Sequence, residues 1–570
     1  MAHLGLKTGE EYRGRRQRGE KGAHPGYLHR GGVRQSGASI VTCGAPVLPG
    51  VMYLMDCSDG CTPRHGVVRL RHVRRCRRLQ PGPALGDGGL AAGPEARPWR
   101  EGGLRPGGRP CRWFLWKERR RMEDQKQRKF IEMTEAPIAP LIIRLAIPCI
   151  ISMLVSSFYN MADTFFVGML DNNSATGAVG VVFSVMALIQ AVGFFFGQGS
   201  GTFISRALGQ QDQESASKMV ATGFTFSLLF GAALCCLGLL FLDPLTRVLG
   251  STETIFPYAR EYLKIILLGA PWMSASLVLN NQLRYQGNAA YAMFGITFGS
   301  LLNIVLDPIL IFTFGMGVSG AAAATVISQF VSFCLLLIGS SRKGNLPVQL
   351  RLTQFSFVYL KNVFVGGFPA FARQGLSSLA TILLNSAARE YGDVAIAAMS
   401  VTQRIMMFGA SAMLGFGQGF QPFCGFNFGA KKYQRVIQGF LFSVKTSACF
   451  LSVVGVAGIL FAPELIAIFR DDPDVIACGA LALRLQCATL FFHSSIVLNN
   501  MLHQAIGDTL PATFLAISRQ GLFLGIMLLI LPPLMGLLGI QMAQSLADLC
   551  SLVCAVLIQR RTLKRLQRLH

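Results

Sequence analysis

Residues 145–170 read LAIPCIISMLVSSFYNMADTFFVGML, and Asp163 is the one charged residue in the run. Lipid offers backbone N–H and C=O groups no partner, so an apolar stretch of this length closes its hydrogen bonds on itself as a helix and crosses a bilayer. An ionised aspartate at the centre of such a span costs about 3 kcal/mol even on the lenient insertion scales. A span that keeps one needs a compensating role for it.

The rest of the chain repeats the pattern. Of 570 residues, 51% are hydrophobic and only 14% charged, where a soluble domain carries about 25% charged residues. The composition is that of a polytopic membrane protein. The net charge of +24 is unevenly spread. Residues 1–121 hold 24 Lys and Arg against 9 Asp and Glu, a net of +15, and they include RHVRRCRR at 71–78. This Arg-, Gly- and Pro-rich segment has no spanning stretch and no signal-peptide pattern. It reads as a disordered or mis-annotated extension, against two alternatives: an arm that binds nucleic acid, or one that lies on anionic lipid. Met122 then opens an ordinary short basic start. Cys57 and Cys61 form a lone CxxxC without a second ligand pair, and the cysteines within apolar runs read as packing residues. Neither a disulfide framework nor a metal site is expected.

Twelve spans are expected, at 141–168, 176–203, 216–242, 258–283, 291–314, 317–340, 359–388, 395–420, 436–462, 477–502, 510–531 and 534–558. Fifteen Lys and Arg fall in one set of connections and the C-terminal tail, against five in the alternate set (Arg247, Arg260, Lys264, Arg389 and Arg470). By the positive-inside rule both termini are then cytoplasmic. The chain also repeats itself. GQG at 197–199 recurs at 417–419, LDP at 242–244 is matched by FAP at 461–463, and Pro148 by Pro369. LVLNNQLRYQG at 277–287 is matched by IVLNNMLHQAIG at 496–507. Two parallel six-helix halves follow, 122–340 and 359–570, joined by a cytoplasmic linker at 341–358. Transporters built this way bind substrate between the halves and rock one against the other.

Asp163 has polar company in the first half. NIVLDPILIF at 303–312 puts Asn303 and Asp307 four residues apart on one helix face, and GAAAATVIS at 320–328 carries Thr325. From the helix rise, Asp163, Asp307 and Thr325 lie roughly 8, 10 and 12 Å from the outer ends of their spans. Two carboxylates with amide and hydroxyl neighbours at one depth suit a proton or a sodium ion, and the sequence does not separate the two. The competing reading is structural: Asp307 satisfying the backbone break at Pro308, and Asp163 facing a wet vestibule. Asp163 maps onto Leu384 and Asp307 onto Met527 or Leu528, so the second half has no acid at these positions. Tyr159, Asn160, Arg404 and His493 are candidates for cavity or substrate contacts, although His493 reads more readily as a packed or hydrogen-bonded histidine. Arg373, Arg404, Arg484 and Arg519 either line the cavity or snorkel to an interface, with Arg404 too deep in its span to snorkel easily. The Asn280/Asn281 and Asn499/Asn500 pairs read as helix–helix glue, and the Gly-rich helices as close packing. Neither a Walker A sequence nor HExxH is present, so ATP-driven pumping and membrane proteolysis have no visible machinery.

Taken together, IPCIISMLVSSFYNMADTFFVG, the NxxxDP of span five, the Gly-rich AT segment of span six and the paired six-span halves resemble the multidrug and toxic compound extrusion (MATE) transporters, the bacterial NorM- and DinF-like branches most of all. The resemblance covers about 133–560. It implies an all-α, V-shaped pair of lobes in a bacterial inner membrane. Such a protein is not an enzyme, needs no cofactor beyond a coupling proton or sodium ion, and exports amphipathic organic cations. The family's first-span coupling aspartate matches Asp163, and its Asn, Asp and Thr of spans five and six match Asn303, Asp307 and Thr325. Acidic residues that some NorM-like members carry in spans seven and ten are missing here, which puts a second cation site in doubt. A monomer that binds lipid and no nucleic acid is expected. The runner-up function is a flippase for lipid-linked precursors, for which the intramembrane arginines speak. A non-transporting scaffold or channel leaves the acidic layer and the repeat unexplained.

Overall fold

The computed structural model of the protein describes residues 112–170 and 173–569; most of the expected extension lies outside them. The described chain is helical, in line with the demand that lipid places on backbone hydrogen bonds. Helix α1 (Arg112–Glu135) runs across the expected boundary at 121/122 and leads into α2 (Ile138–Gly168), α3 (Asn173–Gly209), α4 (Gln213–Leu240) and the short α5 (Leu242–Val248). Next come α6 (Phe256–Tyr285), α7 (Ala289–Pro308) and α8 (Gly317–Ser340). The later part of the chain forms α9 (Phe357–Arg389), α10 (Asp393–Gly429), α11 (Tyr433–Leu460), the short α12 (Ala462–Ala467) and α13 (Pro473–Thr489). It ends with α14 (Phe492–Ile506), α15 (Thr509–Ile517), α16 (Leu524–Met535) and α17 (Leu537–Arg568).

Among the described residues ten helices are long and apolar enough to cross a membrane, or eleven if one bent pair counts as a single span. The expected seventh span corresponds to α9. That helix is continuous over 33 residues, but Arg373 and its Gly, Ser and Asn residues dilute the apolar run. The expected tenth span is not straight: α13 and α14 meet at 56°. The eleventh is interrupted by a π-helical segment, Ser518–Phe523, and α7 continues past Pro308 into another, Ile309–Thr313. Proline removes a hydrogen bond from the helical ladder, and a π turn is one way to absorb the misfit. The basic stretch RRTLKRLQR that follows the expected last span is helical and prolongs α17.

The outer helix faces are apolar, with Leu240, Leu460 and Leu529 all well exposed, as a lipid-facing belt requires. The interior is close-packed around small residues. A Cβ at Gly199 would overlap the carbonyl oxygen of Val363, bringing α3 against α9, and a Cβ at Gly419 would overlap Ala146, bringing α10 against α2. Under the repeat α3 corresponds to α10 and α2 to α9, so these two crossings are counterparts. Other details recur at the same offset. Gln211 (φ 61°) and Lys431 (φ 58°) both take the left-handed conformation in the turns after α3 and α10, a conformation that non-glycine residues rarely adopt. Asn280 donates to the Ala292 carbonyl at 2.9 Å and Asn500 to that of Ala512 at 2.5 Å. The glue role of these asparagines is thus visible, and it sets the register: Asn280 pairs with Asn500, one residue away from the match that the longer strings suggest.

The end of α1 is tied to the α10–α11 turn. Asn427 donates to the Met133 carbonyl, Lys432 to that of Thr134 and Arg435 to that of Ala136. The segment after α8 is pinned to α4 through Thr353–Thr225 and Gln354–Thr222 contacts.

Candidate functional site

Helix α2 packs along α7, and α7 along α8. This brings Asp163, Asn303, Asp307 and Thr325 into one group. Asn303 is the hub: its Nδ2 donates to Asp307 Oδ1 at 3.1 Å and reaches Thr325 Oγ1 at 3.5 Å. Asn303, Asp307 and Thr325 are fully buried, and Asp163 is half-buried. The two carboxylates lie within electrostatic range of each other, and Tyr159 and Tyr262 within range of both. Among the described residues Asp163 Oδ1, Asn303 Oδ1 and Asp307 Oδ2 are buried without a hydrogen-bond partner. Three unsatisfied oxygens, two of them from carboxylates, form a site short of positive charge. Leaving such groups unpaired in the protein interior costs several kcal/mol, which a bound proton or a small cation relieves. No cluster of three or more His, Cys, Asp or Glu suited to a metal occurs among the described residues, and the ten cysteines described there are free.

The matching positions of the second half are apolar. Leu384 is buried in a cluster with Ala388, Met399 and Ile540, and Leu528 packs against it. A polar network does exist in this half, at a different place. His493 Nε2 lies 2.7 Å from Asp548 Oδ2 and 2.8 Å from Arg519 Nη2. Arg519 Nε donates to Asp548 Oδ1 at 2.7 Å, and Gln544 Nε2 donates to the same oxygen at 3.0 Å. His493 begins α14 just past the 56° bend, and Arg519 sits in the π-helical segment, so both spans are irregular where they meet this network. His493 is only 3% exposed, and these bonds fit the packed, hydrogen-bonded histidine that the sequence also suggests. Asp548 is missed by sequence reasoning. Its signal was the presence of His493 and Arg519 in neighbouring spans, two basic groups that want a counter-charge.

The other candidates separate. Tyr159 is buried beside the carboxylates, and the Asn160 amide donates to the Ser156 carbonyl at 2.8 Å. Arg404 is exposed and forms no hydrogen bond among the described residues, and Arg484 reaches the Ile459 carbonyl at 3.3 Å. Arg373 is half-buried and donates to Asn500 Oδ1 at 3.1 Å.

The MatE family model matches the chain twice, over residues 148–309 and 369–531, an offset of 221 residues at the start. The Multidrug export protein MepA of Staphylococcus aureus (strain MSSA476) is 28% identical over 441 residues, covering 76% of this chain and 96% of that protein. MepA of Staphylococcus haemolyticus is also 28% identical, over 436 residues, with 76% and 95% covered. Among solved structures, an outward-facing multidrug resistance MATE family transporter of the MOP superfamily superposes with a TM-score of 0.72 at 28% identity, covering 76% of this chain and 98% of that one. A MATE crystal structure in the bent conformation gives 0.72 at 28%, with 77% and 98% covered. These relatives are MepA-like and do not single out the NorM and DinF branches that the motifs suggest. Matched twice by one family model over more than half its length, the chain belongs to the MATE family, a multi-pass membrane protein whose membership implies secondary active transport of organic compounds and not catalysis.

Proposed function

We propose that the protein is an antiporter that exports amphipathic organic cations in exchange for a proton or a sodium ion held by Asp163, Asn303, Asp307 and Thr325. The observation that carries this reading is the set of buried, unpartnered oxygens on Asp163, Asn303 and Asp307. Binding of one positive charge satisfies them, and its release leaves two carboxylates within electrostatic range of each other. That difference is a free-energy lever of the size needed to bias one conformation over another. The names of the multidrug-exporting relatives support the substrate class.

The same reading has twelve crossings, with α9 as the seventh and the bent α13–α14 pair as the tenth, in two parallel halves, 122–340 and 359–570. The doubled family match and the paired glycine crossings support it. It has the protein working as a monomer in a bacterial cytoplasmic membrane, with both ends cytoplasmic, because the basic connections lie on that side. In cells that express the protein, Asp163→Asn and Asp307→Asn abolish ethidium efflux at wild-type membrane levels, while Leu384→Ala at the matching position of the other half leaves it active. Retained efflux in both Asn variants contradicts the assignment.

A further inference from the structure

Arg284, at the C-terminal end of α6, is a buried guanidinium that the acidic group of α2, α7 and α8 does not use. It projects from α6 and is only 2% exposed: Nη1 donates to Gln418 Oε1 of α10 and Nη2 to Asn281 Oδ1 at 2.6 Å, and the guanidinium carbon lies 5.4 Å from the centre of the Tyr285 ring. Its Nε is buried without a partner, as is the hydroxyl of the neighbouring Tyr285. A second guanidinium, Arg373 on α9, lies within electrostatic range. Arg373 too is held by a carboxamide, Asn500 Oδ1, and is half-buried, so it is open on one side. Among the described residues no carboxylate bridges either arginine. By contrast, the half-buried Arg519 in the same protein has Asp548.

Two like charges near each other, in an interior that penalises each ion by several kcal/mol, are poorly compensated by amide oxygens and one ring face. The asymmetry between the halves is informative. In the register set by Asn280 and Asn500, the counterpart of Arg284 is Gln504, which joins Gln421 and the Gly366 carbonyl through neutral hydrogen bonds. The architecture at this depth therefore tolerates an uncharged side chain, and the charge on Arg284 is not required by packing. The helices that present the two arginines and their partners, α6, α9, α10 and α14, come from both halves, and transporters built from such repeats bind substrate between the halves.

We propose that Arg373 and Arg284 form a receptor for an anionic group, a carboxylate or phosphate carried by the transported amphiphile, with Arg373 as the accessible contact and Arg284 as the buried charge behind it. A planar guanidinium fork suits either oxyanion. The protein would then accept zwitterionic amphiphiles, with their cationic part free for the acidic half of the cavity. This deepens the antiporter reading and rests on it.

The test is equilibrium binding to the detergent-purified full-length protein of a xanthene dye bearing a free carboxylate, and of the ethyl ester of the same dye. Wild type binds the acid more tightly than the ester. Arg373→Gln weakens the acid by about tenfold, the size of one charge-assisted hydrogen bond, and leaves the ester unchanged. Arg373→Lys restores part of the preference. Unchanged ester binding also shows that the variant is folded. Equal binding of acid and ester by wild type, or an equal shift of both in Arg373→Gln, overturns the anion receptor while leaving the antiporter standing. Failure of either dye to bind counts against both. A separate arm adds millimolar inorganic phosphate: displacement of the acid by phosphate at that level assigns the site to a free anion and overturns a substrate-borne one.

Discussion

Two aspartates inside spans, the half-buried Asp163 and the buried Asp548, carry opposite expectations. Asp548 is satisfied on both oxygens, by Arg519, His493 and Gln544. Removing its charge leaves a guanidinium without its counter-ion, so Asp548→Asn destabilises by about 3 kcal/mol or more. Asp163 has a buried oxygen with no partner, so Asp163→Asn removes an unfavourable charge and leaves the unfolding midpoint unchanged or raised. Thermal unfolding of the two variants in detergent tests this contrast. An equal loss in both would place Asp163 among the structural carboxylates. Sequence reasoning reaches Asp163, Asn303, Asp307 and Thr325 because Asn303 and Asp307 share one locally spaced motif and Asp163, Asp307 and Thr325 lie at similar depth in their spans. It does not reach Asp548, whose charged partner Arg519 and whose histidine partner His493 lie 29 and 55 residues away on other elements.

Helix identity is legible because lipid forces every apolar run into a helix. Irregularity within a helix is not. The bend between α13 and α14 and the two π segments depend on tertiary packing, and only Pro308 announces one of them. The helix ends are better determined by local chemistry. Asp212 caps α4, accepting from the Ser215 amide at 3.0 Å, and these bonds to Ser215 hold its carboxyl below the ordinary range. A depressed carboxylate contributes stability that is present above its ordinary pKa and lost as pH falls through the lower, folded value. Asp212→Ala therefore costs about 1 kcal/mol near neutral pH. The gap to wild type closes as the pH drops below about 4. Denaturation monitored at neutral and acid pH reads both effects, and a gap that widens on acidification contradicts the capping role.

On the scale of the molecule, the repeat joins the two levels. It was visible as short strings about 220 residues apart, and the structure shows what they do: glycine crossings of α3 with α9 and α10 with α2, and matched asparagine bonds. On this shared frame the halves have diverged in charge. The first carries the acidic group and Arg284, and the second an apolar cluster and Gln504 at the same places. Filling one crossing should disturb the seam itself. Gly199→Leu, which drives a side chain into the Val363 backbone, abolishes efflux even though it touches neither the acidic group nor Arg373; ethidium efflux at matched membrane levels measures it, and wild-type efflux would contradict the crossing's role.

The central claim is ion exchange through the acidic group, and purified protein in liposomes tests it most directly. Ethidium transport is followed under a proton gradient alone and under a sodium gradient alone. Wild type moves ethidium uphill under one of the two, and Asp163→Asn under neither. Uphill movement by Asp163→Asn at the wild-type rate, or movement by wild type that is indifferent to both gradients, would contradict the account.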